Sequence, residues 1–138
     1  MKKTLFALAV AALALGTTGA AVAQKNNPGQ NKASVRGEAR LAKMLEGRVA
    51  GKPQSCIPAQ LSNRLQIIDR TAVVYDGGRT VYVARPRDPR SLNTNDILVI
   101  NRFGSELCKQ DVIRTVDRTS GFMTGVVFLG DFVPYNRR

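Results

Sequence analysis

Two cysteines in a chain without histidine constrain this fold more than any other feature of its sequence. Cys56 and Cys108 make up the full cysteine content. A closed zinc site takes four protein ligands, and two thiols without an imidazole fall short of that number. In an oxidising compartment the pair predicts a disulfide that closes a loop of about 53 residues, which the chain-entropy model values at roughly 4 kcal/mol. The alternatives are two free thiols or a metal site.

The amino-terminal residues indicate the compartment. Lys2 and Lys3 precede an apolar run over residues 5–15, and small residues follow as far as Ala23. This order is typical of a cleaved secretory signal peptide. The run is shorter than the roughly 20 residues that a membrane-spanning helix needs, and no later segment is a candidate transmembrane segment. We therefore expect residues 1–23 to be a signal peptide cleaved after Ala23, and the mature chain to act in the periplasm or outside the cell.

Positive charge is densest directly after the predicted cleavage site. Loss of Lys2 and Lys3 with the signal peptide lowers the formal net charge from +11 to +9. Residues 24–52 contain seven basic and two acidic side chains. Residues 24–33 are polar and have nothing to bury, which predicts a flexible basic tail.

A helical pattern follows over residues 34–47. Leu41 and Leu45 are four residues apart, and Gly47 is placed to end the helix. Three basic residues recur at helical spacing on the opposite face: Arg36, Arg40 and Lys43. The pattern predicts an amphipathic helix whose basic face is either solvated or contacts an anion or a membrane surface.

Residues 57–138 have strand-like patterns. The clearest is a hairpin of residues 71–75 and 80–83, in which a Gly77-Gly78 turn of type I′ would place Val74 opposite Val81. Further strands are predicted at 96–100, 112–116 and 125–129, and residues 130–135 are expected to pack back on the domain. We expect one domain over residues 34–138, α+β or mainly β, with a small antiparallel sheet of about five strands.

No catalytic, cofactor-binding or metal motif is evident in the sequence. The chain lacks the commonest general base, and no glycine pattern of the phosphate-binding kind opens a helix. Paired carboxylates remain as a hypothesis for a small hydrolase, either Asp69 with Asp117 or Asp96 with Asp111. Each acidic residue also has a basic neighbour, so solvated ion pairs are the simpler interpretation.

The remaining basic feature is a proline-rich segment with Arg85, Arg87 and Arg90. These guanidinium groups could bind phosphate or carboxylate, or could protect a sheet edge from pairing. Export argues against a nucleic-acid partner. The sequence therefore favours a non-enzymatic basic domain that binds an anionic envelope component or an acidic protein. A structural or inhibitory module recognised through the hairpin edge is the other alternative.

Several segments are similar to those of a family of small exported proteins of alphaproteobacteria that has no assigned activity. They include Gly51-Lys-Pro-Gln-Ser-Cys-Ile57 and Gly130-Asp-Phe-Val-Pro-Tyr135. The other similar segments are residues 71–86, 96–100, 102–108 and 116–122. The resemblance implies one domain with one disulfide and supplies no catalytic residue. Some relatives carry a lipid-attachment cysteine after the signal, which this chain lacks.

Overall fold

A computed structural model describes residues 28–60, 64–102 and 104–138 of the chain. The predicted signal peptide and residues 24–27 of the predicted tail lie outside this part. The described residues form one α-helix, one short 3-10 helix (Pro89–Ser91) and ten strands. In chain order they are α1 (Pro28–Met44), β1 (Arg48–Ala50), β2 (Cys56–Pro58), β3 (Leu65–Ile68), β4 (Ala72–Asp76), β5 (Thr80–Pro86), β6 (Asp96–Ile100), β7 (Glu106–Cys108), β8 (Ile113–Asp117), β9 (Met123–Val127) and β10 (Leu129–Arg137).

The described strands form three antiparallel sheets and make the fold mostly β. The largest sheet has the strand order β1-β10-β5-β4-β3, β2 pairs with β7, and the third sheet has the order β6-β8-β9. The prediction of about five strands in one small sheet is wrong in number. Strands β1, β2 and β7 have three residues each, which is too short for an alternating pattern to be visible in the sequence.

The helix bounds differ from the prediction of residues 34–47. Helix α1 begins at Pro28, so residues 28–33 of the predicted tail are helical. Proline is well suited to the first helical position because its fixed φ matches the helix and its missing N–H would have no partner there. The helix ends at Met44, and Gly47 has a φ of 70°, the left-handed conformation common just after a helix.

The five-stranded sheet has an apolar cluster on each face, because neighbouring residues of a strand point to opposite faces. Val73 and Val74 are adjacent in β4 and belong to different clusters. The smaller cluster joins the sheet to α1 through Leu41, which is 3% exposed. The larger cluster joins the sheet to the other two sheets and includes Ile57, Leu107, Ile113, Val127 and Phe132.

The predicted disulfide is confirmed. Cys56 and Cys108 lie directly opposite each other in β2 and β7, with Cα atoms 4.0 Å apart. Their strand neighbours Ile57 and Leu107 are fully buried. The disulfide therefore holds a two-stranded sheet whose inward side chains belong to the larger core.

The predicted hairpin forms with a different turn. Val74 lies opposite Val83 rather than Val81, a shift of two residues. The loop residues are Gly78 and Arg79, and the positive φ of 85° at Gly78 suits the first loop position of a type II′ turn. The Asp76 carboxylate also accepts a hydrogen bond from the Gly78 N–H at 2.8 Å. Because a shift of two preserves the side-chain alternation, the predicted faces of the hairpin are correct although the register is wrong.

Residues 130–135, expected to pack back on the domain, lie within β10. This nine-residue strand pairs with both β1 and β5 in the middle of the largest sheet. As a result β5 has partners on both sides, and so does β4. The hairpin edge suggested above as a recognition surface is therefore covered on both sides.

Candidate functional site

A cleft of about 790 Å³ lies between β3 and β6 in the described part of the chain, and we call it the edge cleft. Its volume lies within the usual range for small-molecule sites. The lining residues are Arg40, Leu65, Gln66, Ile67, Thr94, Asp96, Ile97, Leu98, Val99, Ile100, Arg102 and Arg118.

Both strands of the edge cleft are outer strands of their sheets. Strand β6 pairs with β8 alone and β3 with β4 alone among the described residues. An outer strand has a row of backbone N–H and C=O groups with no partner in its sheet. The cleft therefore lies between two unpaired strand edges that belong to different sheets.

The hydrogen-bond pattern of β8 identifies the free groups of β6. The Asp117 N–H donates to the Phe122 C=O, on the β9 side of β8. Because opposed residues alternate between bonded and non-bonded pairs, the neighbouring Val116 exchanges its bonds with Ile97 of β6. The next residues of β6 must then direct their backbone groups away from β8 and toward the cleft; they are Leu98 and Ile100.

The same alternation applies to β3. The Gly77 N–H donates to the Thr80 C=O across the β4–β5 hairpin. Val74 is three residues before Gly77, so its backbone N–H and C=O point to the opposite side of β4, where they pair with Gln66 of β3. The groups of β3 that face the cleft are those of Leu65 and Ile67.

The walls of the edge cleft are apolar. The side chains of Leu65, Ile67, Leu98 and Ile100 are partly buried and pack against the larger core. Since these side chains are supported from behind by buried residues, they form a fixed surface. The cleft thus combines apolar walls with free backbone groups along two edges.

Three arginines give the edge cleft a positive charge. Arg102 Nη1 donates to the Ala59 C=O, which fixes its guanidinium at one end of β6. Arg40 on α1 and Arg118 after β8 are exposed, and neither is in an ion pair with another described residue. Their charges are therefore available to an anion in the cleft.

Among the described residues that line the cleft, Asp96 is the one carboxylate. It is 5% exposed, and its Oδ2 accepts a hydrogen bond from Thr124 Oγ1 at 2.8 Å. Its Oδ1 is buried without a hydrogen-bond partner among the described residues, as is Nη1 of Arg70. With one carboxylate against three guanidinium groups, the cleft has an excess of positive charge.

The predicted anion-binding residues are not brought together. Among them only Arg40 lines the edge cleft, whereas Arg36, Lys43 and Arg87 are exposed elsewhere. Arg85 forms a two-pronged ion pair with Glu38 of α1, at 2.5 and 2.9 Å. This hydrogen-bonded pairing lowers the pKa of the Glu38 carboxyl and raises the pKa of Arg85.

Arg90 is occupied as well. It pairs with Asp88 at 3.0 Å, and the pKa of Asp88 is lowered mainly by that hydrogen bond. In the proline-rich segment, two of the three predicted anion contacts therefore already have an intramolecular carboxylate partner. The sequence-based interpretation of the carboxylates as members of solvated ion pairs with a nearby basic residue fits Asp88, although its partner is Arg90 and not the adjacent Arg87. Glu38 is also in an ion pair, but with Arg85, which is distant in the sequence.

Three of the four carboxylates in the hypothetical pairs accept hydrogen bonds from other groups: Asp96, Asp111 and Asp117. Asp117 lies opposite Asp96 in the β6–β8 ladder. Its carboxylate accepts hydrogen bonds from Ser120, Asn95 and Thr119, of which the Ser120 N–H contributes most to lowering the Asp117 pKa. A lowered pKa keeps a carboxyl ionised, which is the opposite of what a general acid needs.

Asp111 and the cysteines have structural roles. The Asp111 carboxylate accepts a hydrogen bond from the Cys108 N–H at 2.8 Å. Cys56, Cys108 and Glu106 form a cluster of metal-ligand types, but both sulfur atoms are in the disulfide. That cluster therefore offers a metal ion a single carboxylate.

A second surface is the outer face of the β6-β8-β9 sheet. Phe122 is 76% exposed and Phe128 58% exposed. Smaller exposed apolar residues lie on the same sheet or beside it: Ile97, Val99, Val112, Met123 and Val126. Arg114 in β8 lies between Val99 and Val126. This face is therefore apolar and exposed.

Among the residues that line the edge cleft, only Arg40 and Asp96 were candidate site residues from the sequence, Arg40 as an anion contact and Asp96 as a catalytic carboxylate. Arg102 and Arg118 were not among the predicted contacts, residues 65–68 were not predicted as a strand, and residues 96–100 were predicted only as a strand. The apolar runs of β3 and β6 were visible, but strand order decides which strands lie at an edge, and it is not a local property. Arg118 directly follows β8, and no local motif distinguishes it in the sequence.

Comparison of the chain with protein-family models, with curated proteins and with solved structures finds no match. No helix in the described part of the chain has the length and apolar character needed to cross a membrane. The geometry of the edge cleft is therefore the main basis for a functional proposal.

Proposed function

We propose that this chain is a non-enzymatic exported binding module that holds an anionic ligand with an apolar part in the edge cleft. The observation that supports this proposal best is the combination of Arg40, Arg102 and Arg118 with apolar walls in one cleft. Guanidinium groups bind carboxylate and phosphate through paired N–H donors. The apolar walls would bind the uncharged part of the same ligand.

Export is part of the proposal and is supported by two features. Residues 1–23 have the order of a cleaved signal peptide. A disulfide such as Cys56–Cys108 persists in oxidising compartments outside the cytoplasm. An anionic envelope component or an acidic protein in that compartment would supply the ligand.

The hydrolase alternative has less support. The Asp117 carboxylate accepts hydrogen bonds from its own turn, and Asp111 accepts one from the Cys108 backbone. Binding requires only the charges and walls that the cleft presents. We therefore favour a binding module over an enzyme.

The test is an amide chemical-shift titration of protein purified after export of the full chain. Sodium octanoate supplies a carboxylate on an apolar chain, and octylammonium chloride supplies the same chain with the opposite charge. We expect octanoate to shift amides of β3 and β6, and to do so less strongly as salt is raised. Arg118→Glu should weaken this binding about 3- to 10-fold, since it replaces an attractive charge by a repulsive one.

Lys32→Glu is the matched control, because Lys32 is an exposed residue of α1 outside the edge cleft. It makes the same change in net charge as Arg118→Glu and should leave octanoate binding within about twofold. The proposal is wrong if octylammonium shifts the same amides equally. It is also wrong if octanoate shifts only residues of the outer sheet face, such as Met123.

A further inference from the structure

The backbone groups that line the edge cleft indicate which kind of ligand it binds. Resting on the proposed function, we infer that the ligand is an extended acidic peptide segment that adds a strand to the free edge of β6. The inference depends on the backbone groups of the cleft, which the proposed function does not use.

The free backbone groups disfavour a purely apolar chain as the ligand. Leu98 and Ile100 direct N–H and C=O groups into the cleft from β6. An acyl chain in the cleft would remove water from these groups without replacing its hydrogen bonds, which is unfavourable. An extended peptide beside β6 would instead pair with them, as in strand addition to an exposed sheet edge.

Strand β6 has one protective feature, the buried carboxylate of Asp96 at its first position, and its other four residues are open to such pairing. Natural edge strands are commonly shortened, bulged, or interrupted by lysine or proline. Strand β6 has five residues, Asp-Ile-Leu-Val-Ile, and pairs regularly with β8. By contrast β9, on the other edge of this sheet, has a register shift opposite Thr115 and Val116.

The charges select an acidic segment. Side chains of an added strand would alternate between the two faces of the sheet. Apolar side chains on one face would extend the wall of Leu98 and Ile100, and acidic ones could reach Arg118 or Arg40. A segment of about five residues would match the length of β6, roughly 17 Å.

The same charges argue against a second copy of this chain in the cleft. Pairing β6 with β6 of another copy would bring together two sets of Arg40, Arg102 and Arg118. Like charges held this close are destabilising. The partner is therefore a chain of opposite charge.

The test uses a fluorescein-labelled peptide of seven residues with blocked ends and alternating valine and glutamate. Binding is measured by fluorescence anisotropy on the exported full-chain product. Amide hydrogen exchange of the complex gives the position of the peptide. We expect the Leu98 and Ile100 amides to exchange at least about tenfold more slowly in the complex, because each gains an acceptor.

Two comparison peptides separate backbone pairing from charge. One has lysine in place of glutamate and should not bind measurably at the same salt concentration. The other keeps every side chain but has N-methyl groups on the alternate amides that would face β6. It should bind at least about tenfold more weakly, since its N–H donors are lost.

Each other outcome overturns the inference. Equal binding of the N-methylated peptide would exclude strand addition. Binding of octanoate but not of the valine-glutamate peptide would leave the proposed function standing and point to a lipid-like ligand. Concentration-dependent protection of Leu98 and Ile100 without peptide would make a second copy the occupant. If neither octanoate nor peptide bound in the cleft, the proposed function would fall with the inference.

Discussion

Substitution of Gly37 by alanine tests how α1 is attached to the sheet. Gly37 is buried in α1 where the helix passes the turn between β3 and β4. A Cβ atom at this position would collide with Thr71 Oγ1 and with the backbone oxygen of Asp69. Thr71 is 1% exposed, and its hydroxyl donates to that same Asp69 oxygen at 2.8 Å. Neither atom can move without breaking this hydrogen bond or shifting the turn.

The size of the effect follows from opposing terms. Replacing glycine by alanine inside a helix favours the helix by up to about 1 kcal/mol. Overpacking a filled site costs about 1–3 kcal/mol, and a broken hydrogen bond costs about 1 kcal/mol more. We expect Gly37→Ala to lower the free energy of unfolding by about 1–3 kcal/mol. Urea unfolding followed by circular dichroism, with the disulfide intact, measures it.

Gly29→Ala is the matched control, because a Cβ atom at Gly29 would have no neighbour within 4 Å. It should be neutral or raise stability by up to about 1 kcal/mol. A double mutant adds a sharper test. Leu41 anchors α1 in the smaller cluster, so Leu41→Ala should cost less in the Gly37→Ala background if the helix is already displaced. A Gly37→Ala protein as stable as the wild type would refute the contact.

Three further outcomes test the rest of the fold by urea unfolding. Replacing Cys56 and Cys108 by alanine should lower stability by about 4 kcal/mol through loop entropy, and an unchanged midpoint would contradict that. Phe132→Ala should cost about 3–5 kcal/mol, because this ring is 1% exposed in the larger core; a loss below 1 kcal/mol would exclude that packing. The pairing with Arg85 lowers the pKa of Glu38 in the folded state. The ion pair therefore stabilises the fold fully at pH values above the pKa of Glu38 in the unfolded chain, and this stabilisation is lost as pH falls through the pKa of Glu38 in the folded protein. Because the pair is half exposed, Glu38→Gln should cost only about 0.2–1 kcal/mol at pH 7. The difference from wild type should disappear at acidic pH, and a difference that persists there would show that the charge is not responsible.

Side-chain alternation made the faces of the β4–β5 hairpin predictable while its register was not. Moving the turn from Gly77-Gly78 to Gly78-Arg79 changes every opposed pair but leaves Val74 on the same face. Two adjacent glycines allow either turn. Contacts distant in sequence select one, because Arg48 donates to the Gly78 and Arg79 carbonyls from the start of β1.

The disulfide was predictable from composition. The chain has two cysteines and no histidine, and its export signal indicates an oxidising compartment, which leaves few alternatives to a disulfide. The sheet that surrounds it was not predictable. Strands β2 and β7 have three residues each, and their pairing is set by Ile57 and Leu107, which are buried in the larger core. The spacing of Leu41 and Leu45 indicated a helix in this region. Its start at Pro28 was not predictable, because residues 28–33 are polar and have no apolar pattern that distinguishes a helix from a flexible tail.

The edge cleft could not be predicted because it depends on which strand edges remain unpaired. In the large sheet β10 lies between β1 and β5, and β3 pairs with β4 alone, which leaves β3 at an edge. The β8–β9 hairpin covers one side of β8, and β6 covers the other, which leaves β6 open. Arg40 then reaches the cleft from α1 and Arg118 from the turn after β8. A binding site formed in this way has no sequence motif. Each of its residues lies in an ordinary helix, strand or turn pattern, and only the strand order brings these residues together in one cleft.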